Sequence, residues 1–159
     1  MIELKLLLLL TVANGAPVIA RRLMGGVLAQ PVDGGRLFPD GRRIFGRSKT
    51  WRGLITAVVI TALVAYLLQM GWVLGAAFGL LAMLGDLLSS FIKRRLGIPA
   101  SGMALGLDQI PESFLPLWAC MSVLDLSWPQ IAAIVAVFLV GELLLSRVLF
   151  KLHIRDRPY

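Results

Sequence analysis

Residues 73–95 read VLGAAFGLLAMLGDLLSSFIKRR. A bilayer-crossing helix needs about 20 mostly apolar residues, and the stretch from Val73 to Ile92 supplies them with one charge inside, Asp86. The run then leaves the membrane through Lys93-Arg94-Arg95. A charged helix end on an apolar helix is a membrane pattern, and it sets the frame for the rest of the chain.

Four further stretches fit the same ruler. They run from Ile2 to about Ala20, from Leu54 to Leu68, from Ile110 to Leu126 and from Ile131 to Leu149. The Ile110–Leu126 stretch is the least apolar, with Glu112, Ser113, Pro116 and Asp125. Very short links at Met70-Gly71 and Ser127-Pro129 pair spans two with three and four with five. The first span begins with mixed charge (Glu3, Lys5) and ends in Arg21-Arg22. A signal peptide has the opposite order, so this span is expected to be retained.

Composition agrees with that layout. Of the 159 residues 58% are hydrophobic and 16% charged, against about 45–50% and about 25% in soluble domains. Long apolar runs replace the alternation of a transmembrane β-barrel. The expected fold is therefore an all-α integral membrane protein of about five transmembrane helices, forming one domain over residues 1–159. A single cysteine, Cys120, excludes a disulfide framework within the chain.

The net charge is +7, which points to an anionic partner, either lipid headgroups or nucleotide phosphates. Arg21, Arg22, Arg36, Arg42, Arg43, Arg47, Lys49 and Arg52 lie between spans one and two. Lys93–Arg95 lie between spans three and four, and Arg147, Lys151, Arg155 and Arg157 follow span five. With an odd number of spans these regions share one face, and only Lys5 falls on the other. The positive-inside rule places the amino terminus outside and the carboxyl terminus, with two polar loops, in the cytoplasm.

Some of these cations serve topology alone. Others stand among acids, hydroxyls and glycines. A carboxylate in an apolar span costs about 2.5–3.5 kcal/mol on insertion scales, so it tends to have a partner or a task. Asp86, Ser90 and Lys93 fall on one helical stripe; either Asp86 is simply neutralised by Lys93 or Arg94, or the stripe belongs to a site. Asp108 opens the fourth span, as a helix N-cap or as a second carboxylate facing the same side, and Glu112 follows four residues on. Two carboxylates among many cations suit Mg²⁺ held jointly by protein and substrate phosphates.

The loop Gly46-Arg47-Ser48-Lys49-Thr50-Trp51-Arg52-Gly53 looks like a phosphate cradle, although it lacks Walker A spacing. Asp33 and Asp40 either orient Arg42, Arg43 or Lys49, or cap turns. Asn14 and Pro17 either border the site or pack between helices. His153 is the sole histidine and lies in the tail, so no Ser-His-Asp triad is available. Phosphoryl or nucleotidyl transfer to an ionised phosphate needs positioning, metal and cations rather than a strong base.

Gly85-Asp86, Ser90-x-x-Lys93-Arg94 and Asp108 resemble the signature of the membrane CTP-transferase superfamily, which includes phosphatidate cytidylyltransferase. Ser48-Lys49-Thr50-Trp51-Arg52-Gly53 is similar to its S-x-K-K-T-W-x-G-like element. The short CDP-archaeol synthase branch is closer, with counterparts to Asn14-x-x-Pro17, Pro31-x-Asp33, Asp40-Gly41-Arg42-Arg43 and Leu107-Asp108-Gln109. The chain lacks the lysine-aspartate pair and the glycine-histidine-glycine-glycine stretch of the large enzymes. It also reads Asp108-Gln109-Ile110-Pro111-Glu112 where they have Asp-Arg-x-Asp.

The resemblance implies a CTP:lipid-phosphate cytidylyltransferase that makes CDP-lipid and pyrophosphate with Mg²⁺, from an archaetidic acid-like lipid or phosphatidate. Asp86 and Asp108 would bind the metal and, with Lys49 and Lys93, form the catalytic set. Asn14, Asp33, Asp40, Arg43, Ser48, Thr50, Arg52, Ser90 and Arg94 would border CTP or the lipid phosphate. It implies a multi-pass protein of the cell membrane with a cytoplasmic active site, a homodimer, and no nucleic acid partner. The rival readings are a CTP-dependent lipid kinase and a non-enzymatic carrier. A carrier would gather its polar groups near the bilayer midplane.

Overall fold

The computed structural model describes residues 1–99, 102 and 104–151, with side chains through Ser146. Ala100, Ser101, Met103 and the tail from Leu152, including His153, Arg155 and Arg157, lie outside the described residues, as do the side chains of Arg147 and Lys151. Five helices are described: α1 (Ile2–Leu23), α2 (Trp51–Leu67), α3 (Trp72–Arg95), α4 (Gln109–Ala119) and α5 (Trp128–Lys151).

Three of them, α1, α3 and the Trp128–Ser146 part of α5, are long and apolar enough to cross a membrane. Helix α2 has 17 residues and is apolar; at about 1.5 Å per residue it reaches about 25 Å. Helix α4 departs from expectation. The span foreseen from Ile110 to Leu126 is helical only to Ala119, 11 residues, or about 16 Å. Cys120–Leu126 continue as turns, with Leu124 N–H on Cys120 O at 2.9 Å, Leu126 N–H on Met121 O at 3.0 Å and Asp125 at φ 50°. Pro116 removes one helical donor from α4, and Ser122, Asp125 and Ser127 beyond it favour turns over helix. Apolarity alone therefore overstates the length of this helix.

Helix α1 buries Leu6, Leu9, Leu10, Ala13, Ala16 and Ala20, the three- and four-residue spacing of one helical face. Of these, Leu6, Leu9 and Leu10 meet Ala65, Phe78, Leu117, Ile131, Ile134 and Phe138 in the core. Large apolar side chains such as Leu63, Leu67, Val137 and Leu144 point outward instead. An apolar surface of this kind belongs against lipid.

Close approach is built from small residues. A Cβ at Gly75 would lie 2.8 Å from Ala62 Cα, and one at Gly79 would lie 3.0 Å from Thr61 Cβ, so α2 and α3 touch nearly backbone to backbone. Gly85, next to Asp86, does the same for α3 and α4: a Cβ there would press on the Pro111 carbonyl and stand 2.6 Å from Glu112 Cα. Antiparallel packing puts Lys5, whose ammonium donates to Leu68 O at 2.8 Å, at the end away from the basic loops.

Candidate active site

At the loop end all five helices line one cavity of about 360 Å³. Helix α1 brings Asn14, Pro17 and Arg21, the chain entering α2 brings Ser48, Lys49 and Thr50, and α3 brings Asp86 and Lys93. The approach to α4 contributes Gly102 and Asp108, α4 adds Gln109 and Glu112, and α5 adds Glu142 and Ser146.

Two ion pairs dominate it. Lys49 Nζ donates to both carboxylate oxygens of Asp86, each at 2.6 Å. Lys93 Nζ pairs with Asp108 Oδ1 and also faces Gly102 O at 3.4 Å. The local stripe joining Asp86 to Lys93 is thus not the contact formed, because each lysine crosses to another element. Burial opposes the charge on Lys49, but Asp86, Glu112 and Asp108 outweigh it and hold its ammonium pKa above the ordinary value. Ser90 lies about 40° round α3 from Asp86 and is buried outside the cavity. Its neighbour Ser89 donates to Asp86 O at 2.9 Å.

Local sequence explains how these groups are held. Thr50 is the N-cap of α2, its hydroxyl accepting from Gly53 N–H at 3.3 Å. Lys49 therefore precedes a helix start and cannot swing far from it. Asp108 occupies the N-cap position of α4 without capping it; its Oδ2 accepts from Ala104 N–H at 3.0 Å and leaves Oδ1 for Lys93. Asn14 anchors itself by donating to Leu10 O at 3.1 Å.

The remaining expected residues shape the loops rather than line this cavity. Asp33 is buried, and its carboxylate accepts from Gly35 N–H at 2.9 Å and from Phe45 and Gly46 N–H at 3.1 Å each. Burial pushes its pKa up, but those three donors and Arg43 outweigh that and lower it. Asp40 pairs with Arg95 at 2.6 Å, whose guanidinium lies 4.5 Å over the Phe38 ring. Arg52 reaches back to Gly25 O and, at 3.5 Å, to Val27 O, tying α2 to the end of α1. Arg43 and Arg94 line a separate arginine-rich cavity.

Sequence reasoning missed Glu142 and Ser146 and assigned Arg21 to topology only; all three line the main cavity. Glu142 carried the signal that singled out Asp86, a carboxylate within an apolar span. Among the described residues no three acidic, histidine or cysteine side chains form a ready metal cage. Asp86, Asp108 and Glu112 nevertheless present hard oxygen donors to one space. That set fits Mg²⁺, which takes one or two carboxylates together with substrate phosphates.

A family model described as CarS-like CDP-archaeol synthase matches residues 1–73 and 68–159. The chain belongs to the CDP-archaeol synthase family. It is 45% identical over 109 residues to the CDP-archaeol synthase of Thermococcus onnurineus, an alignment covering 62% of this chain and 61% of that one. Against the enzyme of Saccharolobus islandicus (strain L.S.2.15 / Lassen #1) the identity is 42% over 104 residues, covering 62% and 59%. The alignments thus span about three fifths of these relatives' length. A solved structure of an intramembrane enzyme for archaeal membrane lipids biosynthesis superposes with TM-score 0.70 and 29% identity, over 85% of this chain and 89% of that one. With its long apolar helices, the family member described here is a membrane protein.

Proposed function

We propose that the protein transfers the cytidylyl group of CTP to a lipid phosphate, forming CDP-lipid and pyrophosphate on the cytoplasmic side of the membrane. The observation that carries this is the pair of lysine–carboxylate contacts in one cavity, Lys49 with Asp86 and Lys93 with Asp108. Four carboxylates and three cations line that space, an inventory for phosphate and metal rather than for a histidine-based hydrolase. Val18, Leu54, Leu87 and Leu143 line it too, giving an apolar flank to a lipid whose tails remain in the bilayer. The relatives' name makes an archaeol-based phosphate the proposed acceptor.

In the proposed reaction an oxygen of the lipid phosphate attacks the α-phosphorus of CTP. The bond from that phosphorus to the bridging oxygen breaks, and pyrophosphate leaves with the electron pair. Bound by Asp86, Asp108 and the nucleotide phosphates, Mg²⁺ would neutralise charge on the leaving group. Lys49 and Lys93, which balance the aspartates in the free chain, turn to phosphate oxygens when the carboxylates are engaged. Thr50 keeps Lys49 in place through the α2 cap, and Asp86 keeps Lys49 protonated. The acceptor needs no deprotonation, since it is already ionised at neutral pH.

Purified protein incubated with α-labelled CTP, Mg²⁺ and either di-isoprenoid glycerol ether phosphate or diacyl phosphatidate tests this directly. The expected outcome is labelled CDP-lipid with stoichiometric pyrophosphate, lost on chelation. Release of CDP with a newly phosphorylated lipid would replace the reading with a kinase. No turnover of either lipid by protein shown to bind CTP would reject both. A homodimer belongs to the same proposal, and sedimentation at the mass of a single chain in detergent would remove it.

A further inference from the structure

The arginines outside the main cavity form a site of their own. A second cavity of about 420 Å³ is lined by Arg42, Arg43, Arg47 and Arg94 together with Gly46, Gly97, Ile98 and Pro99. Among the described residues no carboxylate lines it. Four arginines share this concavity, and nearby carboxylates offset the charge of only two of them, Asp33 that of Arg43 and Asp108 that of Arg94.

The groups are not equally committed. Arg42 donates to the carbonyls of Arg94 at 3.1 Å and Arg95 at 2.8 Å, closing the end of α3. Asp33 attracts Arg43 from beneath the loop, yet Arg43 Nη1 is buried with no hydrogen-bond partner. Arg94 is 8% exposed, and its Nε is likewise buried and unpartnered. Both side chains line the one arginine-rich cavity, with these two nitrogens themselves covered by protein. Arg47 is exposed at its rim.

We infer that Arg43, Arg47 and Arg94 form a binding site for a phosphate-bearing anion, outside the cavity of Asp86 and Asp108. Guanidinium forks match phosphate oxygens in pairs. The shared chemistry is a multiply charged phosphate, supplied either as free pyrophosphate or as an anionic lipid headgroup. The two cavities adjoin along the chain, since Lys93 faces one and Arg94 the other, and Lys49 follows Arg47 by two residues. The inference stands whether or not the main cavity makes CDP-lipid.

The test is binding without CTP and in the presence of a chelator, so that its failure is separate from failure of the synthase reading. Protein in zwitterionic nanodiscs is titrated with pyrophosphate by calorimetry. In a second arm, native mass spectrometry counts phosphatidic acid retained from mixed bilayers. Arg47→Gln and Arg94→Gln are each expected to weaken the operative arm roughly tenfold, while Arg36→Gln, at an exposed loop arginine outside both cavities, keeps it. Arg47 is exposed, so Arg47→Gln is expected to fold as the parent does, and thermal melting checks both variants. Pyrophosphate dependence on both arginines identifies a free phosphate ligand, and lipid retention dependent on both identifies a headgroup. Binding unchanged by both substitutions, or no binding in either arm, would overturn the site.

Discussion

At the residue scale the cavity rests on two paired charges. Asp86 is held by Lys49 and Asp108 by Lys93, so each carboxylate enters the membrane end of the bundle already neutralised. Removing one such charge leaves the other uncompensated in a partly buried place. Asp86→Asn is expected to lower CDP-lipid synthesis by about 10²–10³-fold while the detergent-solubilised protein still melts cooperatively; a parental rate would remove Asp86 from the proposed metal set. Asp33 gives a pH prediction of a different kind. Its native pKa lies below the ordinary 3.8, so its stabilisation is present above that value and is lost as pH falls through the lowered one. Asp33→Ala leaves three backbone N–H donors short and should cost about 1–3 kcal/mol at neutral pH. The gap in melting temperature between parent and variant should close below pH 3.8, which thermal melts across an acid series would read.

At the element scale the residues lining the main cavity are placed by close helix contacts. Gly85 lets α3 lie against the Pro111–Glu112 backbone of α4, setting Asp86 and Glu112 on the wall of one cavity. Gly85→Ala should force the helices apart, at a cost of about 1–3 kcal/mol or more. Both the melting temperature and turnover should fall, whereas a variant matching the parent in both would contradict the packing argument. The end of α3 is fixed by a Schellman turn, with Ile98 N–H on Lys93 O at 3.0 Å and Gly97 N–H on Arg94 O at 3.2 Å. Gly97 sits at φ 76°, so Gly97→Ala should destabilise by about 1 kcal/mol, seen as a lower melting temperature.

At the scale of the whole molecule the odd-membered bundle gathers its basic loops, both cavities and the start of α4 at one end, with Lys5 and the α2–α3 turn at the other. The positive-inside rule then predicts that the basic end is cytoplasmic. In a Cys120→Ser background, Leu37→Cys should resist a membrane-impermeant maleimide in right-side-out vesicles and react after permeabilisation. Gln69→Cys should react without permeabilisation, and the reverse pattern would invert the topology.

The linear order of apolar runs and cations was enough to read the helical membrane class and the separation of basic and non-basic ends, and to single out Asp86, Asp108, Lys49 and Lys93, which the fold brings to one cavity. Each of these follows from local quantities: transfer cost, charge and motif spacing. Only the tertiary structure decided that Lys93 serves Asp108 and Lys49 serves Asp86, because helical periodicity sees a neighbour on its own helix and is blind to one brought across by packing. The fourth apolar run passes for a full-length helix only when apolarity is weighed without Pro116 and the turn-forming residues after it, and Glu142 on α5 carries the same local signal as Asp86. The separate cavity of Arg43 and Arg94 was not legible, since which way a charged side chain faces is set by the helices packed beside it.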